Sequence, residues 1–159
     1  RFGLRGLVET GTHKGDTVAD LRPVMDRVYT IELEPAKVAA ARDRFAGDPG
    51  VEVLEGDSGK RLPEVLARLH EPALFWLDGH FMGVGSGDAA HHTPVSTELQ
   101  AVLAHPVRGH VILIDDARYF TGENDYPVLE DLRKAVAGQR PDLSWRVEGD
   151  SIRLTPVPF

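Results

Sequence analysis

The chain has 159 residues, 42% of them hydrophobic, which predicts a single domain over residues 1–159 with a sizeable core and excludes a disordered protein. It contains no cysteine, which excludes disulfide scaffolds, zinc fingers, iron–sulfur sites and thiol nucleophiles. Its 25 acidic and 18 basic side chains give a net charge of −7, the opposite of the bias of nucleic-acid binders, and no apolar run approaches the length of a membrane span.

Short apolar runs that each end in an acidic residue are typical of buried parallel strands. In chain order they are 6–9, 28–32, 51–55, 73–78 and 110–115. Helical spacing of apolar residues lies between and after them, at 16–25, 35–45, 62–69, 94–103 and 127–136. This alternation predicts an α/β fold, a parallel sheet with helices on both faces. The last segments, 145–148 and 151–154, flank Gly149-Asp150 and predict an antiparallel hairpin, which brings the sheet to seven strands.

The turn after the first strand reads Glu-Thr-Gly-Thr-His-Lys-Gly-Asp-Thr over residues 9–17. Glycine permits a sharp reversal and a close approach to a ligand, and the start of the next helix offers N–H groups to an anion. The spacing matches neither the dinucleotide loop nor the P-loop, which favours a smaller carboxylate-bearing ligand. A glycine turn without a ligand is the alternative for this segment.

Acidic and hydroxyl side chains follow the second and third strands. Glu32 ends the second strand, where a carboxylate can accept hydrogen bonds from both hydroxyls of a ribose. Asp57 and Ser58 follow the third strand and either contact the edge of an adenine or cap the next helix. The glycine loop and Glu32 together favour a nucleoside-binding site.

In this order the segments resemble the class I S-adenosylmethionine (SAM)-dependent methyltransferases, from Leu7 to about Leu154. The chain is most similar to small metal-dependent O-methyltransferases, such as catechol O-methyltransferase, and to the sugar O-methyltransferases of macrolide and aminocoumarin biosynthesis. The resemblance implies a Rossmann-like sheet of strand order 3-2-1-4-5-7-6 with SAM as the cofactor. It also implies methyl transfer to a hydroxyl of a small molecule, a sugar or a phenol, assisted by a divalent metal.

The resemblance assigns roles to individual residues. The residues expected to bind the cofactor are Glu9, Gly11, Thr12, His13, Gly15, Thr17, Glu32, Leu33, Asp57, Ser58 and Asp78. The Leu-Asp-Gly-His string at 77–80 is most similar to the sugar enzymes, which places a metal-binding acid at Asp78 and the catalytic base at His80. The metal would be held by Asp78, Asp115 and Asp116.

The three aspartates also have a physical reason to bind a cation. In such a sheet Asp78 and Asp115 end neighbouring strands, and Asp116 is next in the chain. Each pair of carboxylates at roughly 5 Å would repel by about 3 kcal/mol, and an oxygen-binding ion such as Mg²⁺ removes that cost. The alternative is that Asp116 caps the loop with Arg118 as its ion partner, because consecutive strand residues point to opposite faces.

Other interpretations stay open at this point. The aromatic residues Tyr119, Phe120 and Tyr126 either wall an acceptor pocket or pack locally, and His91 and His92 are weaker candidates for ligands. The chain could also be a SAM-binding module without turnover, or a nicotinamide-dependent oxidoreductase. We expect a cytoplasmic protein with a small hydroxyl acceptor and neither a nucleic-acid nor a membrane partner, and the sequence leaves homo-oligomer formation open.

Overall fold

The computed structural model of the chain describes residues 2–79 and 93–157. The strands are β1 Gly6–Thr10, β2 Arg27–Glu32, β3 Val51–Glu55, β4 Ala73–Leu77, β5 Val111–Ile114, β6 Leu143–Glu148 and β7 Ser151–Pro156. The α-helices are α1 Asp16–Leu21, α2 Pro35–Arg44, α3 Ser58–Leu66, α4 Val95–Ala104 and α5 Leu129–Gln139. Two 3₁₀ turns lie at Arg22–Val24 and Ala117–Tyr119.

All seven strands belong to one sheet of order β3-β2-β1-β4-β5-β7-β6. The first five strands pair in parallel, and β7 lies antiparallel between β5 and β6. Both the predicted order and the C-terminal hairpin are therefore confirmed. No helix in the part of the chain that the structure describes is long and apolar enough to cross a membrane.

All five helices differ from their predicted bounds by at least one residue, and the largest shifts of a single end are in α1 and α3. α1 ends at Leu21 and passes into a 3₁₀ turn, because Pro23 has no N–H with which to continue the α-helical pattern. α3 begins at Ser58, four residues before the predicted start at Leu62. The reason is a side-chain cap, in which a carboxylate oxygen of Asp57 accepts a hydrogen bond of 2.9 Å from the Gly59 N–H.

The sheet is buried on both faces. Leu7 packs with Val18 and Val28 on one face, and its neighbour Val8 packs with Phe75 in the larger cluster on the other. Successive strand residues point to opposite faces, so both must be apolar in a sheet covered on two sides. This explains why the strands read as continuous apolar runs in the sequence.

The register of the parallel strands brings their carboxyl ends to one edge. Thr10 of β1 pairs with Ile31 of β2 and with Leu77 of β4, and Leu77 pairs with Ile114 of β5. The segments that follow these strands therefore lie side by side. Ligands of open α/β sheets bind at this edge.

Candidate active site at the carboxyl edge of the sheet

The glycine loop packs directly onto the end of β4. Gly11 has a φ of +84°, and a Cβ built on it would lie 2.5 Å from the carbonyl oxygen of Asp78. Gly15 has a φ of +77°, and a Cβ there would lie 2.8 Å from the ring of Phe45. Both positions therefore require glycine because of the protein's own packing and backbone conformation. The glycines alone do not distinguish a ligand loop from a structural turn.

Glu9 is buried inside this loop, with 1% of its surface exposed. One of its carboxyl oxygens accepts a hydrogen bond of 2.6 Å from the Thr30 hydroxyl, and the Thr30 and Thr12 hydroxyls lie 2.5 Å apart. Burial raises the pKa of Glu9 to about 7, although the hydroxyls of Thr30 and Thr17 oppose the shift. Glu9 and the three threonines thus connect β1, the loop, α1 and β2.

Glu32 is held by backbone N–H groups from two segments. One carboxylate oxygen accepts a hydrogen bond of 2.8 Å from the His13 N–H, and the other accepts one of 3.0 Å from the Glu34 N–H. Only 8% of Glu32 is exposed, whereas its neighbour Leu33 is 45% exposed. The structure therefore places an oriented carboxylate next to an exposed apolar side chain, beside the glycine loop.

The residues predicted to contact an adenine edge have other partners as well. Asp57 caps α3 through one of its two oxygens, which confirms the capping interpretation. Ser58 is buried, and its hydroxyl favours the charged form of the Glu98 carboxyl. The second Asp57 oxygen lies 3.7 Å from the Lys60 ammonium group, and the Ser58 hydroxyl faces the interior.

The acids after β4 and β5 are only partly arranged as the sequence predicts. The N–H of Asp115 donates to the carbonyl of Leu77 at 3.1 Å, which sets Asp115 beside Asp78. Asp116, however, has a φ of +59° and forms an ion pair of 2.6 Å with Arg118, which also pairs with Asp150. The alternative of an Arg118 partner is thus confirmed, and the guanidinium group balances the charge of Asp116.

The described residues do not support the predicted metal site. Residues 2–79 and 93–157 contain no cluster of three or more acidic or histidine side chains that could hold a metal ion. Asp78, Asp115 and Asp116 do not form a cage, because the left-handed backbone at Asp116 accompanies a side chain paired with Arg118. This part of the chain gives no evidence for bound Mg²⁺, and we assign no chemical step to a metal.

A cleft opens at this edge, and the described residues that line it are Leu77, Asp78, Gly79, Thr93, Val95, Ile114, Asp115 and Tyr126. Tyr126 contacts the rings of Tyr119 and Phe120, with centroids 5.7 Å and 5.2 Å away. Burial raises the pKa of the Tyr126 phenol, and a hydrogen bond with Thr93 opposes that shift. The three aromatic residues therefore pack against one another, and one of them, Tyr126, also lines the cleft.

Three predicted histidines cannot be placed. His80, the proposed base, and His91 and His92 lie outside the described residues.

Sequence reasoning missed Glu98, which is fully buried at the same edge. One signal was available: Glu98 lies among Val95, Leu99 and Val102 on the apolar face of a predicted helix, where a charge is unusual.

No family model matches the chain, and no curated protein matches it. Solved structures do match. The SAH-bound methyltransferase PaMTH1 from Podospora anserina is 18% identical with a TM-score of 0.63, covering 97% of this chain and 72% of that one. SMU.1697c from Streptococcus mutans, in complex with SAH, is 11% identical with a TM-score of 0.68, covering 96% and 89%. The 23S rRNA methyltransferase ErmE is 19% identical with a TM-score of 0.59, covering 98% and 62%.

These similarities, together with the strand order, show that the chain has the fold of the class I SAM-dependent methyltransferases. At such low identity the similarity shows the fold and leaves the activity to the arrangement of the site.

Proposed function

We propose that this chain binds SAM and transfers its methyl group to a hydroxyl of a small molecule. The observation that carries the proposal is the carboxylate of Glu32, whose two oxygens are each oriented by one backbone N–H, from His13 and Glu34. A carboxylate oxygen has two lone pairs, so each oxygen keeps one for a ribose hydroxyl. A solvated surface acid would be neither so buried nor so held.

Other residues around Glu32 support a nucleoside ligand. Leu33 offers an exposed apolar side chain against which an adenine ring can pack. One oxygen of Asp57 caps α3, and the other lies 3.7 Å from the Lys60 ammonium group and has a second lone pair with which to accept a hydrogen bond from an adenine amino group. Two proteins of similar fold have SAH bound, which supports a ligand of this class.

The acids of the site suit a cationic cofactor. When bound, SAM supplies an activated methyl group on a positively charged sulfur. Burial is the main cause of the raised pKa of Glu9, and the nearby charges of Asp78 and Glu32 add to the shift. A positive ligand at this edge would relieve the repulsion among these carboxyl groups.

The cleft lined by Asp78, Asp115 and Tyr126 is the proposed acceptor site. A carboxylate there can accept a hydrogen bond from the acceptor hydroxyl and orient its oxygen. His80, next in the chain after Gly79, remains the predicted base. We derive this scheme without a metal, because Asp116 is paired with Arg118.

A nucleic-acid acceptor is less well supported, although ErmE is by its name an rRNA methyltransferase. The net charge of −7 would repel a polyanionic acceptor rather than attract it. We therefore favour a small acceptor.

Calorimetric titration of the purified protein with SAM, SAH and NAD tests the proposal. We expect binding of SAM and SAH, no binding of NAD, and a large loss of SAM affinity in Glu32→Gln. Binding of NAD alone would identify an oxidoreductase instead. Transfer of a labelled methyl group to a panel of sugars and phenols then tests turnover, and SAM binding with no transfer to any acceptor would favour a binding module.

A further inference from the structure

Glu98 is the only charged residue within Val95–Ala104, and it is completely buried. Its helical neighbours Val95, Leu99 and Val102 are buried in the main hydrophobic cluster. Burying a carboxyl group costs free energy unless it is well hydrogen-bonded. An apolar residue at this position would suit the core better, so the acid calls for a reason other than packing.

The side chain of Glu98 reaches the segment that follows β4. A Cβ built on Gly79 would lie 2.9 Å from a Glu98 carboxyl oxygen, 3.2 Å from the Ser58 hydroxyl and 3.3 Å from the Thr10 hydroxyl. Three side-chain oxygens, from α4, α3 and β1, therefore gather beside the Cα of Gly79. They leave no room for a side chain at that position.

The Thr10 hydroxyl connects this group of oxygens to Asp78. Its oxygen accepts a hydrogen bond of 3.2 Å from the Asp78 N–H, so its own proton is available to another acceptor. Thr10 and Ser58 are the hydroxyls that stabilise the charged form of Glu98. The path from Glu98 through Thr10 thus ends on the backbone of a predicted cofactor residue.

The Glu98 carboxyl itself is poorly satisfied. Among the described residues, neither of its oxygens makes a hydrogen bond of good geometry. Burial raises its pKa to about 7, and the charges of Asp57 and Asp78 add to the shift, while Ser58 and Thr10 oppose it. The acid is therefore held at a cost to stability, which is typical of functional positions.

We propose that Glu98 is a positioning residue, which sets the Asp78–Gly79 segment for cofactor binding through the hydroxyls of Thr10 and Ser58. This inference rests on the proposed function, because the segment it positions belongs to the proposed SAM site. Glu98 touches neither cofactor nor acceptor in this scheme. Its effect passes through the backbone of Asp78 and the shape of the pocket at Gly79.

The test compares Glu98→Leu and Glu98→Gln with Gln100→Leu, an exposed position on the same helix that serves as the matched control. SAH affinity is measured by calorimetry and stability by thermal unfolding, at pH 8. We expect Glu98→Leu to weaken SAH binding about tenfold, because the Asp78–Gly79 segment loses the carboxyl group packed beside Gly79, while its melting temperature stays equal or rises. Glu98→Gln, which keeps a polar group of the same size, should recover most of the affinity. The control should match the wild type in both measurements.

A lower SAH affinity together with an unchanged or higher melting temperature would distinguish a positioning role from simple packing. If Glu98→Leu bound SAH as tightly as the wild type, or if both Glu98 variants lost affinity only in step with a lower melting temperature, the positioning role would be overturned and the proposed function would stand. If the wild-type protein bound neither SAM nor SAH, both the positioning role and the proposed function would fall.

Discussion

The backbone of Gly11 lies against the carbonyl oxygen of Asp78, so closely that a Cβ on Gly11 would be only 2.5 Å from that oxygen. This contact joins the loop after β1 to the segment after β4. It means that the glycine loop and Asp78 form one surface. A substitution in the glycine loop should therefore shift Asp78, and a substitution at Asp78 should shift the loop.

We expect Gly11→Ala to destabilise the protein by on the order of 2 kcal/mol or more, because the φ of +84° is strained for alanine and the new Cβ meets backbone. Urea unfolding measures this loss. Gly138→Ala is the control, since Gly138 lies within α5 with nothing within 4 Å of the added Cβ. It should be more stable than the wild type by about 0.5–1 kcal/mol. Equal stability of Gly11→Ala and the wild type would contradict the contact.

Glu32→Gln should weaken SAM binding by roughly 10- to 100-fold, because a charged acceptor of hydrogen bonds becomes a neutral amide. Glu34→Gln is the matched control: Glu34 is exposed, is two residues away, and pairs with Lys37. Calorimetry on both variants should show a loss only in the first. Equal affinities for the two variants would remove Glu32 from the cofactor site.

Stability should depend on pH through two buried histidines. The Ala73 N–H donates to His110 Nδ1 at 3.0 Å, His110 and His105 are joined at 2.9 Å, and His105 Nε2 lies 2.9 Å from the Leu66 carbonyl. This series of hydrogen bonds requires a donor N–H on Nε2 of each ring. It therefore requires both imidazole rings to be neutral. Burial lowers the pKa of His110 to about 4, with the His105 and Arg140 charges adding to the shift.

Because the folded pKa of His110 is below the unfolded value, its contribution to stability is complete above about pH 6.5 and is lost as the pH falls towards 4. We expect His110→Asn to destabilise the protein more at pH 7.5 than at pH 5, by about 2 kcal/mol. Urea unfolding of wild type and variant at both values gives this difference. Glu9 and Glu98 contribute in the opposite direction, because their raised pKa values favour folding as the pH falls through about 7. Their contribution is the same in wild type and variant, so the difference between the two unfolding free energies cancels it. A destabilisation independent of pH would refute the neutral histidine pair.

We expect neither Mg²⁺ nor a chelator to change the melting temperature or the SAM affinity of the wild-type protein, because Arg118 already pairs with Asp116. An ion that bound only the folded state would raise the melting temperature with its concentration. Such a rise would show that Asp116 can leave Arg118 to complete a metal site.

Some features of the site could not be predicted from sequence pattern, because they depend on how the helices and strands pack together. Asp57 allowed two interpretations, and the start of α3 shows that it caps that helix. Asp116 also allowed two, and the left-handed turn with Arg118 supports the ion pair. The burial of Glu98 against Gly79 joins residues separated by 19 positions, which no local pattern specifies.

The sequence by itself determined the strands and the helices, because the apolar spacing of each element reports directly which faces must be buried. The sheet order was an expectation from the resemblance to the class I SAM-dependent methyltransferases, which the structure confirms. The sequence also identified the glycine loop and Glu32, since a left-handed turn and a strand-end acid are local features. Only the tertiary structure decided the partners of Asp116, Ser58 and Glu98. Hydrogen bonds and ion pairs are short-range, so their partners depend on side-chain directions that are set only when the elements pack together.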